Sequence, residues 1–102
     1  MKQVKVGIPR RQGPFSLEKL RIADLDTFVN KTQTAGLGSQ MLTLLTLTLV
    51  DKKGKRVFDD EEQAEAALGA ASILDLGMQS FEYSELNKLA DISKRLEAAQ
   101  KN

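Results

Sequence analysis

Met41-Leu42-Thr43-Leu44-Leu45-Thr46-Leu47-Thr48-Leu49-Val50 is the most apolar run of the chain, and its conformation decides the architecture. The alternation Leu45-Thr46-Leu47-Thr48-Leu49 and the β-branched threonines favour a strand, whereas the leucine content and ten-residue length favour a helix. Periodicity leaves both readings open. Either element buries its leucines in a core, and Asp51-Lys52-Lys53-Gly54-Lys55 then reads as a turn whose glycine reverses the chain before Val57 and Phe58 return to apolar surroundings.

Beyond the turn, Asp59 followed by Glu62 has the spacing of a capping-box helix start, and Asp59-Asp60-Glu61-Glu62 places negative charge where the macrodipole favours it. Ala64, Ala67, Leu68, Ala71, Leu74 and Met78 recur at three and four, a helix with a small-residue face that Gly77 is placed to end. Phe81 and Tyr83 then pack across a connection. Ser84 offers the next N-cap, with Leu86, Leu89, Ile92 and Leu96 as a narrow stripe behind it.

On the N-terminal side, Ser16 is a candidate cap for a helix carrying Leu17, Leu20, Leu25, Phe28 and Val29 on one face, ending by Thr32 to Gly36. Residues 1–15 are basic and loop-like, with Val4, Val6 and Ile8 alternating before Pro9. That pattern suits a short strand or an extended arm. Phe28, Phe58, Leu68, Leu74, Leu89 and Ile92 are the candidate core.

Composition narrows the function. A chain of 102 residues supports one modest core, and 41% hydrophobic residues make it too apolar for wholesale disorder. Neither cysteine nor histidine occurs, which removes disulfides, thiolate chemistry and the commonest general base and metal ligand together. No catalytic, metal or cofactor constellation is expected, and no GxxxxGK[ST] or GxGxxG cradles a phosphate. Met1-Lys2-Gln3-Val4-Lys5 lacks a signal peptide's apolar run, and no stretch approaches the ~20 apolar residues of a membrane span. A reducing cytoplasm fits these features.

Met41-Leu42 with its leucines, Leu49-Val50-Asp51, Gly54-Lys55-Arg56-Val57-Phe58, the acidic start Asp59 to Glu62, Ala67-Leu68-Gly69 and the closing Lys101-Asn102 together resemble tail assembly chaperones of long-tailed bacteriophages. In that family a hydrophobic segment runs into a valine-aspartate-x-x-glycine-lysine-x-x-phenylalanine turn, followed by an acidic helix and a second helix. The resemblance covers roughly residues 41–102 and lies in the order and spacing of its elements. It implies a mostly α-helical, non-enzymatic protein made in the host bacterial cytoplasm and absent from the finished virion. Such a protein forms homo-oligomeric rings or spirals, organises the tape measure protein and recruits the major tail tube protein.

The resemblance also tips residues 41–50 toward helix. The expected fold is mainly α: a basic N-terminal arm over residues 1–15, and a single helical domain over 16–102 with helices near 17–32, 40–50, 60–76 and 85–99. The family is commonly made in two lengths through a −1 ribosomal frameshift. Gln100-Lys101-Asn102 is compatible with the slippery codons CAA AAA AAC, and residues from Ala98 onward are expected to fray and accept an extension that binds the tape measure protein.

Charge gives a separate reason to expect self-association. Residues 1–58 hold eleven Lys/Arg and four Asp/Glu, net +7, while residues 59–102 hold four and ten, net −6. Opposed faces favour head-to-tail contacts, unless the two sets are solvated or pair within one subunit. Leu42, Leu45 and Leu49, the basic Lys52, Lys53, Lys55 and Arg56, and the acidic Asp59, Asp60, Glu61 and Glu62 are the candidate oligomer interface. The rival reading is a small nucleic-acid-binding regulator using the basic first half. Against it, the segment Ser84 to Gln100 carries Glu85, Asp91 and Glu97, which suit phosphate poorly.

Overall fold

The apolar run adopts both of its readings in succession. In the computed structural model, which describes residues 1–100, Leu37–Thr48 is a helix and Leu49–Val50 a strand. Leu49 is already extended (φ −80°, ψ 123°), and its N–H closes the helix on the Leu45 carbonyl. The chain order is β1 (Lys2–Val4), β2 (Phe15–Leu17), α1 (Ile22–Thr32), α2 (Leu37–Thr48), β3 (Leu49–Val50), α3 (Glu61–Ala67), α4 (Ala70–Tyr83), a 3₁₀ turn (Leu86–Lys88) and α5 (Leu89–Gln100). The fold is mainly α, with a three-stranded antiparallel sheet ordered β1-β2-β3.

Helix α2 is the centre of the molecule. Met41 and Leu45, with Leu49 just beyond, face one core cluster together with Leu17, Phe58, Leu68 and Leu76, while Leu44 faces a second with Phe28 and Leu86. Its threonines are tolerated in a buried helix because their hydroxyls return to helix carbonyls: Thr46 Oγ1 donates to Thr43 O at 2.7 Å, and Thr48 Oγ1 to Leu44 O at 2.8 Å. A hydroxyl carries one proton, so the 2.7 Å contact between Thr48 Oγ1 and buried Ser80 Oγ has Ser80 as donor. That bond ties α2 to α4.

Several expected boundaries move. Ser16 caps no helix: it lies in β2 opposite Gln3 and Val50, and Leu17, fully buried opposite Leu49, holds the strand, so α1 starts five residues later at Ile22. The N-terminal arm is part of the fold, since β1 pairs with β2 and Val4, Ile8 and Phe15 are buried. The expected helix over 60–76 is two helices, because Leu68 and Gly69 are both extended and turn the chain between α3 and α4. The cap of α3 is Asp60 in place of Asp59: its carboxylate accepts from Gln63 N at 2.9 Å, while Gln63 Oε1 accepts from Asp59 N at 2.9 Å.

Gly77 ends nothing. It sits buried inside α4, where an added Cβ would stand 2.6 Å from the Cβ and Sδ of Met41, so the glycine permits the close approach of α2 and α4. Ser84 is the C-cap of α4 and not an N-cap; its Oγ accepts from Leu20 N at 2.9 Å. Glu85 in the left-handed region (φ 60°) then redirects the chain into the 3₁₀ turn and α5. The end expected to fray is helical to Gln100, while Lys101 and Asn102, on which the frameshift expectation also falls, lie outside the described residues.

Of the candidate core, Phe28, Phe58 and Leu68 are buried and Leu89 packs against the second cluster, but Leu74 is 38% and Ile92 41% exposed. In α4 the buried side is Ile73, Leu76, Gly77 and Ser80, which turns Leu74 and Met78 outward. In α5 no residue is buried, and Ile92 is only partly covered, at the edge of a pocket it lines with Leu20, Ile22, Leu25, Leu86 and Leu89.

Candidate interaction surface

Between the first turn of α2 and the α3–α4 corner lies an apolar cleft of about 500 Å³, lined by Leu37, Gly38, Leu42, Glu65, Leu68, Ala70, Ile73 and Leu74. The corner makes the cleft. Leu68 N bonds Ala64 O at 3.0 Å and Ile73 N bonds Gly69 O at 3.0 Å, so one helix closes and the next opens around an extended Leu68-Gly69. Leu37 is 56% exposed at one rim, Leu74 and Met78 continue the apolar surface along α4, and Glu65 is the one charged residue in the lining. With a single carboxylate and no second polar group converging on it, the cleft suits an apolar side chain better than a reacting substrate.

At the opposite end of α4 stands α5. Leu20, Leu25, Leu86 and Leu89 surround its root, together with exposed Ile22, and Ile92 lines the same pocket, although the residues from Asp91 to Gln100 are all classed as exposed. The molecule measures 55 × 26 × 21 Å and its radius of gyration is 14.7 Å, above the ~13 Å of a compact chain of this length, as a projecting helix requires.

The third feature is the basic turn. Asp51 Oδ1 accepts from Lys53 N at 2.8 Å and Lys55 N at 3.1 Å, and Gly54 takes the positive φ (80°) that the turn needs. The Lys55 N–H above all, then the Lys53 N–H and the charges of Arg11 and Lys53, hold the Asp51 carboxyl below its ordinary range. Arg56 pairs with Asp24 at 2.7 Å, whereas Lys52, Lys53 and Lys55 stand exposed with no ion pair among the described residues.

The expected interface residues therefore scatter. Leu45 and Leu49 are fully buried and belong to the core; of those three leucines, only Leu42 reaches a surface, inside the cleft. Asp60 is used as a cap, and Glu61 pairs with Lys31 at 3.4 Å and accepts from Thr43 Oγ1 at 3.2 Å. Its own backbone N–H, then Lys31 and Thr43, lower its pKa. Lys31–Glu61 joins the basic and acidic halves inside one chain, so the charge asymmetry is partly spent internally. Asp59 and Glu62 are exposed beside them.

Leu37, Leu74, Met78 and Leu96 are surface residues that stripe counting did not single out as surface. The available signal was the pair Leu74/Met78, four apart and about 100–140° round from Ile73, on a helix with apolar residues on two faces. Among the described residues no group of three carboxylates is placed to hold a metal, and no helix is long and apolar enough to cross a membrane. Comparisons with protein-family models, curated proteins and solved structures found no match to this chain.

Proposed function

We propose that this chain is a non-enzymatic tail assembly chaperone of a long-tailed bacteriophage. It self-associates in the host bacterial cytoplasm, brings tape measure protein and major tail tube protein together during tail morphogenesis, and stays out of the finished virion. The observation that carries this reading is the segment from Met41 to Gly69. There several residues of the family pattern have a distinct physical role: Asp51 accepts the turn's N–H groups, Gly54 takes positive φ, Phe58 returns to the core beside Val57, and an acidic helix starts at Asp60. An apolar cleft without convergent polar groups supports a protein partner in place of a substrate.

Co-expression with the tape measure and tube proteins is the test. Both are expected to co-purify with this chain, and failure to capture either one overturns the reading. A longer −1 frameshifted form is part of the proposal, its extension supplying the tape measure contact. A gene lacking a slippery heptamer in its last codons removes that part alone.

Lys52, Lys53 and Lys55, which make no ion pair among the described residues, favour one other reading, a nucleic-acid-binding regulator touching phosphates from the turn. A salt-dependent shift of duplex DNA would support it. Asp91 and Glu97 on α5 work against a recognition helix.

A further inference from the structure

The hydrogen bonds of the sheet fix which way each peptide group points, because an extended chain turns the N–H and C=O of successive residues to alternate sides. Leu49 O accepts from Val57 N at 3.0 Å and Asp51 N donates to Lys55 O at 2.8 Å, so Val50 between them turns its own pair toward Ser16. Glu18 N, bonded to Thr48 O at 2.8 Å, repeats that pattern two residues on. Ser16 therefore spends both groups on β3, and Phe15 and Leu17 turn theirs to Val4 and Lys2. By the same alternation the N–H and C=O of Gln3 point away from the sheet.

That outer edge is open. β1 has β2 as its one neighbour in the sheet, and among the described residues no backbone hydrogen bond outside the sheet reaches residues 1–7. Exposure alternates beyond the strand as well: Gln3, Lys5 and Gly7 are exposed, Val4 and Ile8 buried and Val6 half-buried. The chain thus stays extended past Val4, and Lys5 presents its peptide groups on the same edge as Gln3.

Charge decides what the edge accepts. Lys2 and Lys5 are exposed, bracket Gln3 and make no ion pair among the described residues. Residues 1–17 contain four Lys/Arg and no Asp/Glu, and Glu18, which follows Leu17, is engaged by Arg21 at 3.4 Å. Two copies of this edge brought together would face lysine with lysine, which is how natural edge strands resist pairing with themselves. An acidic strand meets no such barrier.

We infer that the outer edge of β1 accepts an extended acidic segment of a partner protein by strand addition. An antiparallel residue opposite Gln3 exchanges both main-chain hydrogen bonds with it. From that residue, one step in one direction falls opposite Lys2 and two steps in the other fall opposite Lys5, so the segment that fits carries carboxylates three residues apart. The inference rests neither on self-association nor on the identity of the tail proteins.

Amide exchange and an NMR titration of the isotope-labelled full chain test it. In the free chain the Gln3 amide is expected to exchange at least ten-fold faster than those of Val4 and Leu17. It should slow on addition of a capped peptide of valine and threonine with two glutamates three residues apart, and the same peptide with lysines in their place should bind at least ten-fold more weakly. Lys2→Glu/Lys5→Glu is expected to invert that preference. Gln3→Pro removes the outward N–H and spares the bonds to β2, so the circular dichroism should persist while peptide binding is lost. If that variant unfolds, the charge reversal alone decides. A Gln3 amide as slow as that of Val4 in the free chain, equal binding of the two peptides, no binding of either, or undiminished binding by folded Gln3→Pro would overturn the inference. So would binding of single-stranded DNA at Lys2 and Lys5 with the glutamate peptide rejected, which would make the edge a phosphate contact instead.

Discussion

α2 and α5 are both twelve-residue helices carrying leucines, yet α2 buries six residues and α5 buries none. α2 contains no charged residue, so it is apolar around most of its circumference; α1, α3 and α4 pack around it, and Phe15 and Leu17 of the sheet share its main core cluster. α5 mixes Asp91, Lys94, Arg95 and Glu97 with a stripe on one side, the pattern of a helix that expects a single partner. Among the described residues only its root, at Leu89 and Ile92, meets the rest of the chain. The contrast teaches that a stripe at helical spacing establishes only that a face is to be covered, not that the same chain covers it.

The contrast can be broken by truncation. Leu45→Ala, at a fully buried position of α2, is expected to cost about 2–5 kcal/mol, much of the stability of a small domain, whereas Leu96→Ala on α5 should stay within about 0.5 kcal/mol. Urea unfolding of the two variants under monomeric conditions measures both. Equal losses would mean that α5 is packed into the fold as firmly as α2.

Close approach to α2 is the next lever. Gly77→Val puts a branched side chain where Met41 leaves no room for a Cβ, and about 1–3 kcal/mol of destabilisation is expected from overpacking. Gly38, whose added Cβ would meet nothing within 4 Å, is the control: Gly38→Ala should be neutral or stabilising. A tolerated Gly77→Val would mean that α2 and α4 can separate without penalty.

The polar tie between the same helices behaves differently. Thr48→Val leaves the buried Ser80 hydroxyl without its acceptor and is expected to cost about 1–3 kcal/mol, much of which the double variant Thr48→Val/Ser80→Ala should recover. A double-mutant cycle with additive losses would show that the two hydroxyls are not coupled.

The smallest expected effect lies at the basic turn. Asp51 has its folded pKa lowered, first by the Lys55 N–H, so its contribution to stability is present above the unfolded value near 3.8 and is lost as the pH falls through the folded one. Acid titration of the wild type should show this loss and Asp51→Asn should show less of it. An unchanged acid limb would mean that the turn does not hold Asp51 as described.

Helix content, the turn at Gly54 and the acidic start of the following helix were legible because each rests on local chemistry: leucines, a positive-φ glycine, a carboxylate cap. What escaped depends on distant partners. The end of α2 at Thr48 is set where Leu49 pairs with Leu17, a contact no window around residue 45 contains. Ser16 has good capping chemistry, but the sheet claims it. Gly77 reads as a terminator by type, whereas its reason is Met41 on another helix. The cleft is half visible in the sequence through Leu42 and Leu68, but Leu74 reads as inward because Ala71 and Leu74 share spacing with buried Leu68 across a break that only the extended Leu68-Gly69 creates.

Sedimentation equilibrium of the unaltered chain over a wide concentration range tests most directly the self-association at the centre of the proposed function. The weight-average mass should climb above the 11.3 kDa of a monomer as concentration rises, and climb further at low salt. A mass that stays at 11.3 kDa even at millimolar concentration, where a contact worth about 4 kcal/mol is already half formed, would contradict it.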